Sequence, residues 1–419
     1  MDDRQRRVLD ELDEGELQRM MEQLIELPSP TGEEGPVGDY LAARFAELGL
    51  AVELQEVEAG RNNVIARWPL SDPGPSVLLL GHMDSAPGIG RPTPKLLDGG
   101  WIAGLGASNM KSAFPCYWMA LQMLRAAGVR LHGELTVAGV VGEIERAPVG
   151  THQGAGMRGS GHGARFLGSH GLMPDFVING EPTGLRVQTA NCGYMFVRLT
   201  TRGVTQHSAY RRLGVDAIAA MERVLPRIRA WEAEYQRLFP HPLIQPNVNV
   251  GAIEAGSPPT PSLVANRCDA YVNVMLLPNA DVRAVRRELD GLVAELNAAD
   301  SELRLEASVY MLGRGYEVEH DAELPNVIRA AHTLATGAEA VEPDAERYGV
   351  SSDNWVFADL GAQGICYGPA GISRTTPGAY AAYDPEFGEV VRIDDLVSAT
   401  QVYALSILDL LGATADESK

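Results

Sequence analysis

Several short stretches of the sequence are apolar at almost every successive position rather than at alternate ones. Ser76–Leu80, Leu135–Val141 and Asp175–Ile178 have this pattern, and helical periodicity fills intervening segments such as Ser112–Ala127. A strand that is apolar on both faces has to be covered on both faces, as parallel strands linked by helices are. The pattern therefore predicts an α/β domain with a largely parallel, doubly covered sheet.

The order of predicted strands and helices changes from about Gly193. The following segments predict a βαββαβ unit: Tyr194–Thr200, Val215–Phe239, Asn247–Ala252, Ala270–Leu276, Ala280–Asn297 and Leu303–Val309. Helix and strand patterns of the first kind then return, at Pro325–Leu334, Gln363–Tyr367 and Asp394–Leu411. We therefore expect a discontinuous main domain, 1–190 and 311–419, with residues 191–310 inserted as a separate small domain.

The charge of the chain limits its partners. With 55 Asp and Glu against 35 Lys and Arg, the net charge is −20, which opposes non-specific binding to nucleic acid or to an anionic membrane. The charged N-terminus has no signal-peptide core, and no stretch reaches the roughly 18 apolar residues of a membrane span. We expect a cytoplasmic protein that acts on a small molecule, with four buried cysteines that form neither disulfides nor a zinc knuckle.

Polar residues follow the apolar runs at the places where ligands gather in open α/β sheets, the carboxyl ends of the strands. His82 and Asp84 follow the first run, Glu143, Glu145 and Arg146 follow the second, and Glu181 follows the third. A histidine and an aspartate two positions apart point to the same side of a strand end. The imidazole can then bind a metal while the carboxylate orients a neighbouring group.

Several short motifs occur in a characteristic order and spacing. They are LLLGHMDSAPG around His82, a VxGE…AP…GARF pattern over Val140–Phe166, GEPTG at Gly180–Gly184, QHSA at Gln206–Ala209, YGVSSDN at Tyr348–Asn354 and YGP at Tyr367–Pro369. Nearly the whole chain thus resembles the co-catalytic zinc deacylases and exopeptidases, which include acetylornithine deacetylase, succinyl-diaminopimelate desuccinylase and glutamate carboxypeptidase. The motifs are most similar to the subgroup that removes a carrier protein from the amino group of lysine or ornithine.

This resemblance implies a zinc-peptidase-like three-layer α/β domain that carries a ferredoxin-like dimerisation domain, and hence a homodimer. It also implies a small amino-acid-like substrate, in the subgroup one that is linked to a carrier protein. By the same resemblance His82 matches the first metal histidine, Asp84 the carboxylate that supports it, and Glu181 the carboxylate of that zinc ion.

Other positions depart from the family pattern. Asn109 stands where relatives have an aspartate that bridges two zinc ions, and an amide oxygen is a much weaker zinc ligand than a carboxylate. Aligned on the following Ala-Pro, the family's Glu-Glu pair of base and ligand becomes Glu145 and Arg146, although a shift by one residue would make Ile144 the base and Glu145 the ligand. Tyr383 stands in place of the last metal histidine. The resemblance therefore implies at most one zinc ion, or none.

Further residues of the motifs imply contacts with the substrate. In relatives the histidine that matches His207 reaches across the dimer to the substrate oxyanion. The loop Ser351, Ser352 and Asp353 resembles a substrate-contacting loop, and Asn249 lies on an insert strand that often contacts substrate. Asn109 and Tyr383, if they bind no metal, would face the substrate as well. The glycine-rich segment Gly150–Gly163 has two possible interpretations. It is either a functional loop, which acts as a flexible lid or binds an anion, or an insertion that is merely tolerated.

Three hypotheses about function follow. The first is an enzyme that acts on an amide or acyl bond by hydrolysis, acyl transfer or condensation, with Glu145 as acid and base and with His207 and Arg146 stabilising negative charge. The second is a non-catalytic binding protein on the same scaffold. The third is a one-zinc amidohydrolase that uses Asn109 as a neutral third ligand.

Overall fold

A computed structural model describes residues 1–70, 72–86, 90–242, 244–343, 348–372, 374, 384 and 386–412. The chain divides into two compact units. The first comprises Met1–Ala190, Val318–Asp344 and Ser352–Lys419, and the second comprises Asn191–Glu317 and Ala345–Ser351. The boundaries that the sequence suggested for the inserted domain, residues 191 and 310, remain predictions.

A six-stranded sheet forms the centre of the first unit. Its order is β1-β2-β6-β3-β7-β14, with strands Ala51–Glu58 (β1), Arg61–Trp68 (β2), Ser76–His82 (β3), Glu134–Val140 (β6), Phe176–Asn179 (β7) and Gln363–Cys366 (β14). The pairs β3–β6, β3–β7 and β7–β14 are parallel, while β1 and β2 are antiparallel to their neighbours. The largely parallel sheet predicted from the apolar runs is confirmed.

Helices cover both faces of this sheet and bury its apolar side chains. They are Asp3–Leu9 (α1), Glu14–Ile25 (α2), Gly35–Glu47 (α3), Ala113–Ala126 (α4), His162–Ser169 (α5), Glu323–Thr336 (α8), Asn354–Ala358 (α9) and Ile393–Leu411 (α10). The periodicity between Arg4 and Leu27 suggested one helix, but two form. Asp13 ends the continuity because its carboxylate accepts the backbone N–H of Glu16 and caps α2.

A smaller sheet lies in the same unit. It consists of Lys95–Leu97 (β4), Trp101–Ala103 (β5) and Val390–Arg392 (β15), in the order β15-β5-β4. Lys95 pairs with Ala103, and Ala103 pairs with Val390. These pairings hold the residues directly before β15 beside the β4–β5 hairpin.

The second unit has the βαββαβ order that the sequence predicted. Its main elements are Gly193–Arg202 (β9), Ala217–Leu238 (α6), Val248–Ala255 (β10), Arg267–Leu276 (β11), Val282–Ala299 (α7) and Glu306–Gly313 (β12). The strands form an antiparallel sheet in the order β10-β11-β9-β12, the ferredoxin-like arrangement. Apolar side chains of α6 and α7 pack with the strand residues of one sheet face into a separate core.

The remaining short elements complete the description. Two-residue strands occur at Ala190–Asn191 (β8) and Tyr316–Glu317 (β13), and 3₁₀ turns at Ala155–Met157 and Ser208–Leu213. None of the helices in the described ranges has both the length and the apolar character that crossing a membrane requires.

Candidate metal and active site

His82 is the last residue of β3 and is almost fully buried. Its Nδ1 lies 2.8 Å from the backbone oxygen of Asp84 and 3.4 Å from the Asp84 carboxylate. Nδ1 therefore carries a proton and donates a hydrogen bond to Asp84. This bond turns Nε2 toward the carboxyl ends of the neighbouring strands. The sequence predicted this orienting role for Asp84, and the geometry supports it.

Asp84 is held by more than His82. Its buried carboxylate accepts the Thr31 hydroxyl at 2.8 Å and the backbone N–H groups of Glu143 and Ile144 at 2.9 and 3.2 Å. Burial would raise the pKa of Asp84, but these hydrogen bonds and the one from His82 outweigh it, so that the pKa is lowered. Asp84 thus stays ionised and ties the segment after β6 to the end of β3.

Two carboxylates face His82 Nε2. Glu143 Oε2 lies 3.7 Å and Glu181 Oε1 3.8 Å from it, and one ligand atom of each of the three residues lies within 4.8 Å of the others. Asn109, in the loop that precedes α4, places Oδ1 2.9 Å from the same Nε2. One imidazole and two carboxylates on three neighbouring segments therefore converge at one point.

The electrostatics of this cluster favour a cation. Burial raises the pKa of Glu143 well above its ordinary value, and the charges of Glu181, Asp353 and Asp84 raise it further. Burial and the charges of Glu181 and Asp84 likewise raise the pKa of Asp353 to about 7. Burial alone would lower the pKa of His82, but Asp84, Glu143 and Glu181 raise it well above its ordinary value. Negative charge is in excess, and a cation would relieve it.

The donor set fits one divalent ion. Histidine nitrogen and carboxylate oxygen are both zinc ligands, and a carboxylate near the remote nitrogen of the histidine is a common support for such a ligand. One further observation agrees: the buried Oδ2 of Asp353 receives no hydrogen bond from the described residues.

The sequence assigned the acid and base to Glu145, and here the structure differs. Glu145 is exposed, while Glu143 is buried in the cluster. Because Asp84 binds the backbone N–H groups of residues 143 and 144, the turn after β6 directs Glu143 rather than Glu145 inward. The alternative register, with Ile144 as base and Glu145 as ligand, has no support in this geometry either.

Arg146 does not occupy the metal position in this arrangement. Its guanidinium donates to the backbone oxygen of Gly156 at 3.1 Å, in the glycine-rich segment. The segment itself is closely packed: a Cβ on Gly159 would lie 2.1 Å from the oxygen of Ile144, and Arg61 donates to the oxygens of Ala155 and Arg158. Such packing favours a structural role over that of a flexible lid.

The remaining candidate residues lie in different places. Ser352 and Asp353 are buried in the first unit, where the charges of His82 and Glu181 act on Asp353. In the second unit, Ser351 is buried, whereas Asn249 is exposed on β10 beside a cavity that Asn247 and Asn273 also line.

His207 also belongs to the second unit and is exposed. Its Nδ1 accepts the backbone N–H of Ala209 at 3.2 Å, at the start of the 3₁₀ turn Ser208–Leu213. Tyr383 lies outside the described residues. The contacts with substrate that the sequence suggested for these residues remain predictions.

Glu143 is the residue to which the sequence interpretation gave no role. A usable signal was present, since Glu143 is the first charged residue after the buried strand β6, as Glu181 is after β7. Alignment on the Ala-Pro dipeptide was given more weight and led to Glu145 and Arg146 instead.

Comparisons with known proteins agree with this fold. Residues 189–301 match the peptidase dimerisation domain of the M20 family. The chain is 23% identical to N-formyl-4-amino-5-aminomethyl-2-methylpyrimidine deformylase of Bacillus subtilis, over 92% of this chain and 90% of the relative. It is 28% identical to acetylornithine deacetylase of Vibrio campbellii, over 71% of this chain and 76% of the relative.

A solved structure extends the likeness to the whole chain. The M20 family metallo-carboxypeptidase of Sulfolobus solfataricus superposes with a TM-score of 0.70 at 16% identity, covering 95% of this chain and 99% of that one. At this identity the likeness establishes the fold.

Proposed function

Because the chain combines the fold of the M20 peptidases with their dimerisation domain, we propose that it is a metal-dependent amidohydrolase. It hydrolyses an amide bond of a small amino-acid-like substrate. The observation that carries the proposal is the convergence of His82, Glu143 and Glu181 at the carboxyl ends of the sheet strands. The relatives that bear names of deformylase and deacetylase support the same class of reaction.

His82 and Glu181 would hold one divalent ion, with the amide oxygen of Asn109 beside them. Such an ion supplies Lewis acidity toward the amide carbonyl and a source of hydroxide at neutral pH. Asp84 keeps the His82 proton on Nδ1, so that Nε2 offers its lone pair. Because Asn109 stands where the resemblance implies a bridging aspartate for relatives with two zinc ions, the proposal has a single metal centre.

In this proposal Glu143 is the general base and general acid of the hydrolysis. Its carboxyl group lies in the cluster, and burial raises its pKa well above the ordinary value, so that it can accept a proton from water and give one to the departing amine. Hydrolysis needs no other reactant, and we therefore place it before acyl transfer or condensation. Within this class, the motifs around Glu181 and His207 favour a lysine- or ornithine-like amino acid, free or linked to a carrier protein.

The test is hydrolysis of a panel of N-formyl, N-acetyl and N-succinyl derivatives of lysine, ornithine and neutral amino acids. Amine release should require one divalent ion per chain, disappear after chelation and return on addition of zinc, cobalt or manganese. Elemental analysis of the same samples gives the stoichiometry. A protein that binds no divalent ion and hydrolyses none of these amides would exclude the proposal and favour a binding role.

We also propose a homodimer formed through the second unit, which is supported by the match to the dimerisation domain. If His207 of one protomer serves the site of its partner, mixing inactive His207→Ala with inactive Glu143→Ala protein should restore part of the activity. Sedimentation at micromolar concentration gives the oligomeric state. A monomer there would exclude the dimer, and unrestored activity in a mixed dimer would exclude a shared site.

A further inference from the structure

A cavity of the first unit has none of the cluster residues His82, Glu143 and Glu181 in its lining. It measures about 460 Å³, within the usual size of small-molecule sites, and Arg91, Lys95, Gly104, Glu386 and Phe387 are among the residues that line it. Two cationic side chains, Arg91 and Lys95, and one carboxylate, Glu386, line it, so cations outnumber anions there in a chain whose net charge is −20.

Two cations, Lys95 of the lining and Arg374, lie near the Phe387 ring. Nζ of Lys95 lies 4.3 Å from the centroid of the Phe387 ring, and Cζ of Arg374 lies 5.2 Å from the same centroid. The carboxylate of Asp384 pairs with Arg374 at 3.2 Å. Within the described part of the chain, no carboxylate forms an ion pair with Arg91 or Lys95. Positive charges of like sign that are held together in a cavity are stabilised by an anion between them.

Secondary structure fixes the walls of this cavity. Lys95 and Ala103 pair across the β4–β5 hairpin, and Ala103 pairs with Val390 of β15, three residues after Phe387. The backbone oxygen of Arg91 accepts the N–H of Leu105 at 2.8 Å. The groups that would bind an anion are thus carried by paired strands and their adjoining turns.

The loop that follows β5 leads from the cavity to the metal site. Gly104 lines the cavity, and its N–H donates to the backbone oxygen of Glu389 at 3.0 Å. Asn109, five residues after Gly104, contacts His82 Nε2. The loop that forms one wall of the cavity therefore continues directly into the cluster.

We propose that the cavity lined by Arg91, Lys95 and Phe387 binds an oxyanion, a carboxylate or a phosphate, at the end of the substrate remote from the scissile amide. Arg91 and Lys95 bind the charged oxygens, and the Phe387 ring packs against the carbon chain that leads to them. The inference rests on the proposed amide hydrolysis for the place of this anion in the substrate. It makes the substrate class an amide with a second, anionic terminus.

The scarcity of lysine provides a test that needs no activity. The chain has three lysines, Lys95, Lys111 and Lys419, and Lys111 is buried with Nζ bonded to the backbone oxygens of Leu24 and Leu27. Trinitrobenzenesulfonate labelling of the purified enzyme, followed by peptide mass mapping, reports on Lys95, with Lys419 as the internal standard. Ionic strength is held constant with sodium chloride.

Succinate or inorganic phosphate should slow the labelling of Lys95 severalfold relative to Lys419, while butyramide should not. Whichever of the two anions protects better identifies the group. The variant Arg91→Gln should lose the protection, whereas Arg7→Gln, an equal change of charge at an exposed position of α1, should keep it. Labelling of Lys95 at the same rate with and without both anions would overturn the proposal.

Steady-state kinetics then test which end of the substrate carries the bound anion. Two matched pairs differ only in a carboxylate against a methyl group: N-succinyl against N-butyryl amino acids, and N-acetylglutamate against N-acetylnorvaline. Arg91→Gln and Lys95→Gln should raise KM about tenfold or more for the acidic member of one pair, as expected for a lost charge-assisted hydrogen bond, and should raise KM for the neutral member much less.

Equal effects on acidic and neutral members would exclude a subsite for the anion. If no amide is hydrolysed at all, the proposed function fails, while the labelling experiment still decides whether the cavity binds oxyanions. The two failures are therefore distinguishable.

Discussion

Nδ1 of His82 lies 2.8 Å from the backbone oxygen of Asp84, and the Asp84 carboxylate accepts the backbone N–H groups of Glu143 and Ile144. One aspartate thus sets the direction of the imidazole and the path of the segment that carries the neighbouring carboxylate. The two groups depend on each other through it, and the first prediction follows from this dependence.

Asp84→Asn should weaken metal binding by about 10- to 100-fold, the usual cost of losing the carboxylate that supports a metal histidine. The amide replaces one acceptor oxygen by a donor that faces N–H or O–H donors. Zinc affinity measured by competition with a chromophoric chelator gives the value. Thr31→Val removes a single hydrogen bond to the same carboxylate and should have the smaller effect; equal effects of the two changes would contradict the role of Asp84.

Glu143→Gln and Glu145→Gln form a matched pair, since the residues lie two apart in one loop and only Glu143 is buried in the cluster. We expect Glu143→Gln to lower kcat by about 10²- to 10⁴-fold, the range for a lost acid–base group, with the metal retained. Glu145→Gln should leave kcat within about twofold of the unchanged enzyme. Loss of the metal from the Glu143 variant would make Glu143 a ligand instead of the proton carrier.

Asn109→Asp should tighten binding of the divalent ion by about tenfold or more, because a carboxylate oxygen then stands where an amide oxygen lies 2.9 Å from His82 Nε2. Arg146 would not neutralise the new charge, since its guanidinium donates to Gly156. Competition titration and elemental analysis measure affinity and stoichiometry. An unchanged affinity would show that the side chain of residue 109 does not face the ion.

The buried pair of Arg61 and Glu34 should be much more important for stability than the partly exposed pair of Arg158 and Glu58. Arg61 donates to both Glu34 oxygens, at 2.9 and 2.5 Å, and both side chains are at most 1% exposed. Arg61→Met leaves the buried carboxylate uncompensated and should lower the free energy of unfolding by about 3–5 kcal/mol.

The control for this change is Arg158→Gln, which should cost about 1 kcal/mol or less because its pair is partly solvated. Urea unfolding followed by circular dichroism measures both variants. Similar losses for the two variants would mean that burial of the Arg61 pair contributes nothing beyond an ordinary surface contact.

Glu389 should make the stability depend on pH between about 4.5 and 8. Burial raises its pKa from 4.5 to about 8, although the backbone N–H groups of Gly106, Ser108 and Asn109 and the charge of Lys111 lower it. The unfolded chain releases the proton first as pH rises, so the native state is destabilised progressively from pH 4.5 and fully above pH 8.

Glu389→Gln removes this titration. Relative to the unchanged protein, the variant should therefore gain free energy of unfolding between pH 6 and pH 9, at about 1.4 kcal/mol for each pKa unit spanned. Urea titrations at the two pH values give the difference. A difference between the two proteins that is the same at both pH values would show that Glu389 is ionised throughout.

Local sequence patterns were sufficient to predict much of the fold and part of the candidate site. Runs that are apolar on both faces require coverage on both faces, and this alone indicated the parallel sheet around β3, β6 and β7. His82 and Glu181 could be identified because each comes directly at or after the end of such a run, where the strand itself sets the direction of the side chain.

Glu143 and the oxyanion cavity depended on the tertiary structure. After β6 the chain turns, and whether residue 143 or 145 faces the cluster depends on hydrogen bonds to Asp84, which is about 60 residues away along the chain. Arg91, Lys95 and Phe387 become neighbours only because β5 pairs with both β4 and β15. The sequence determines strand ends through local periodicity, whereas contacts between distant segments determine which side chains meet, and no local pattern contains those contacts.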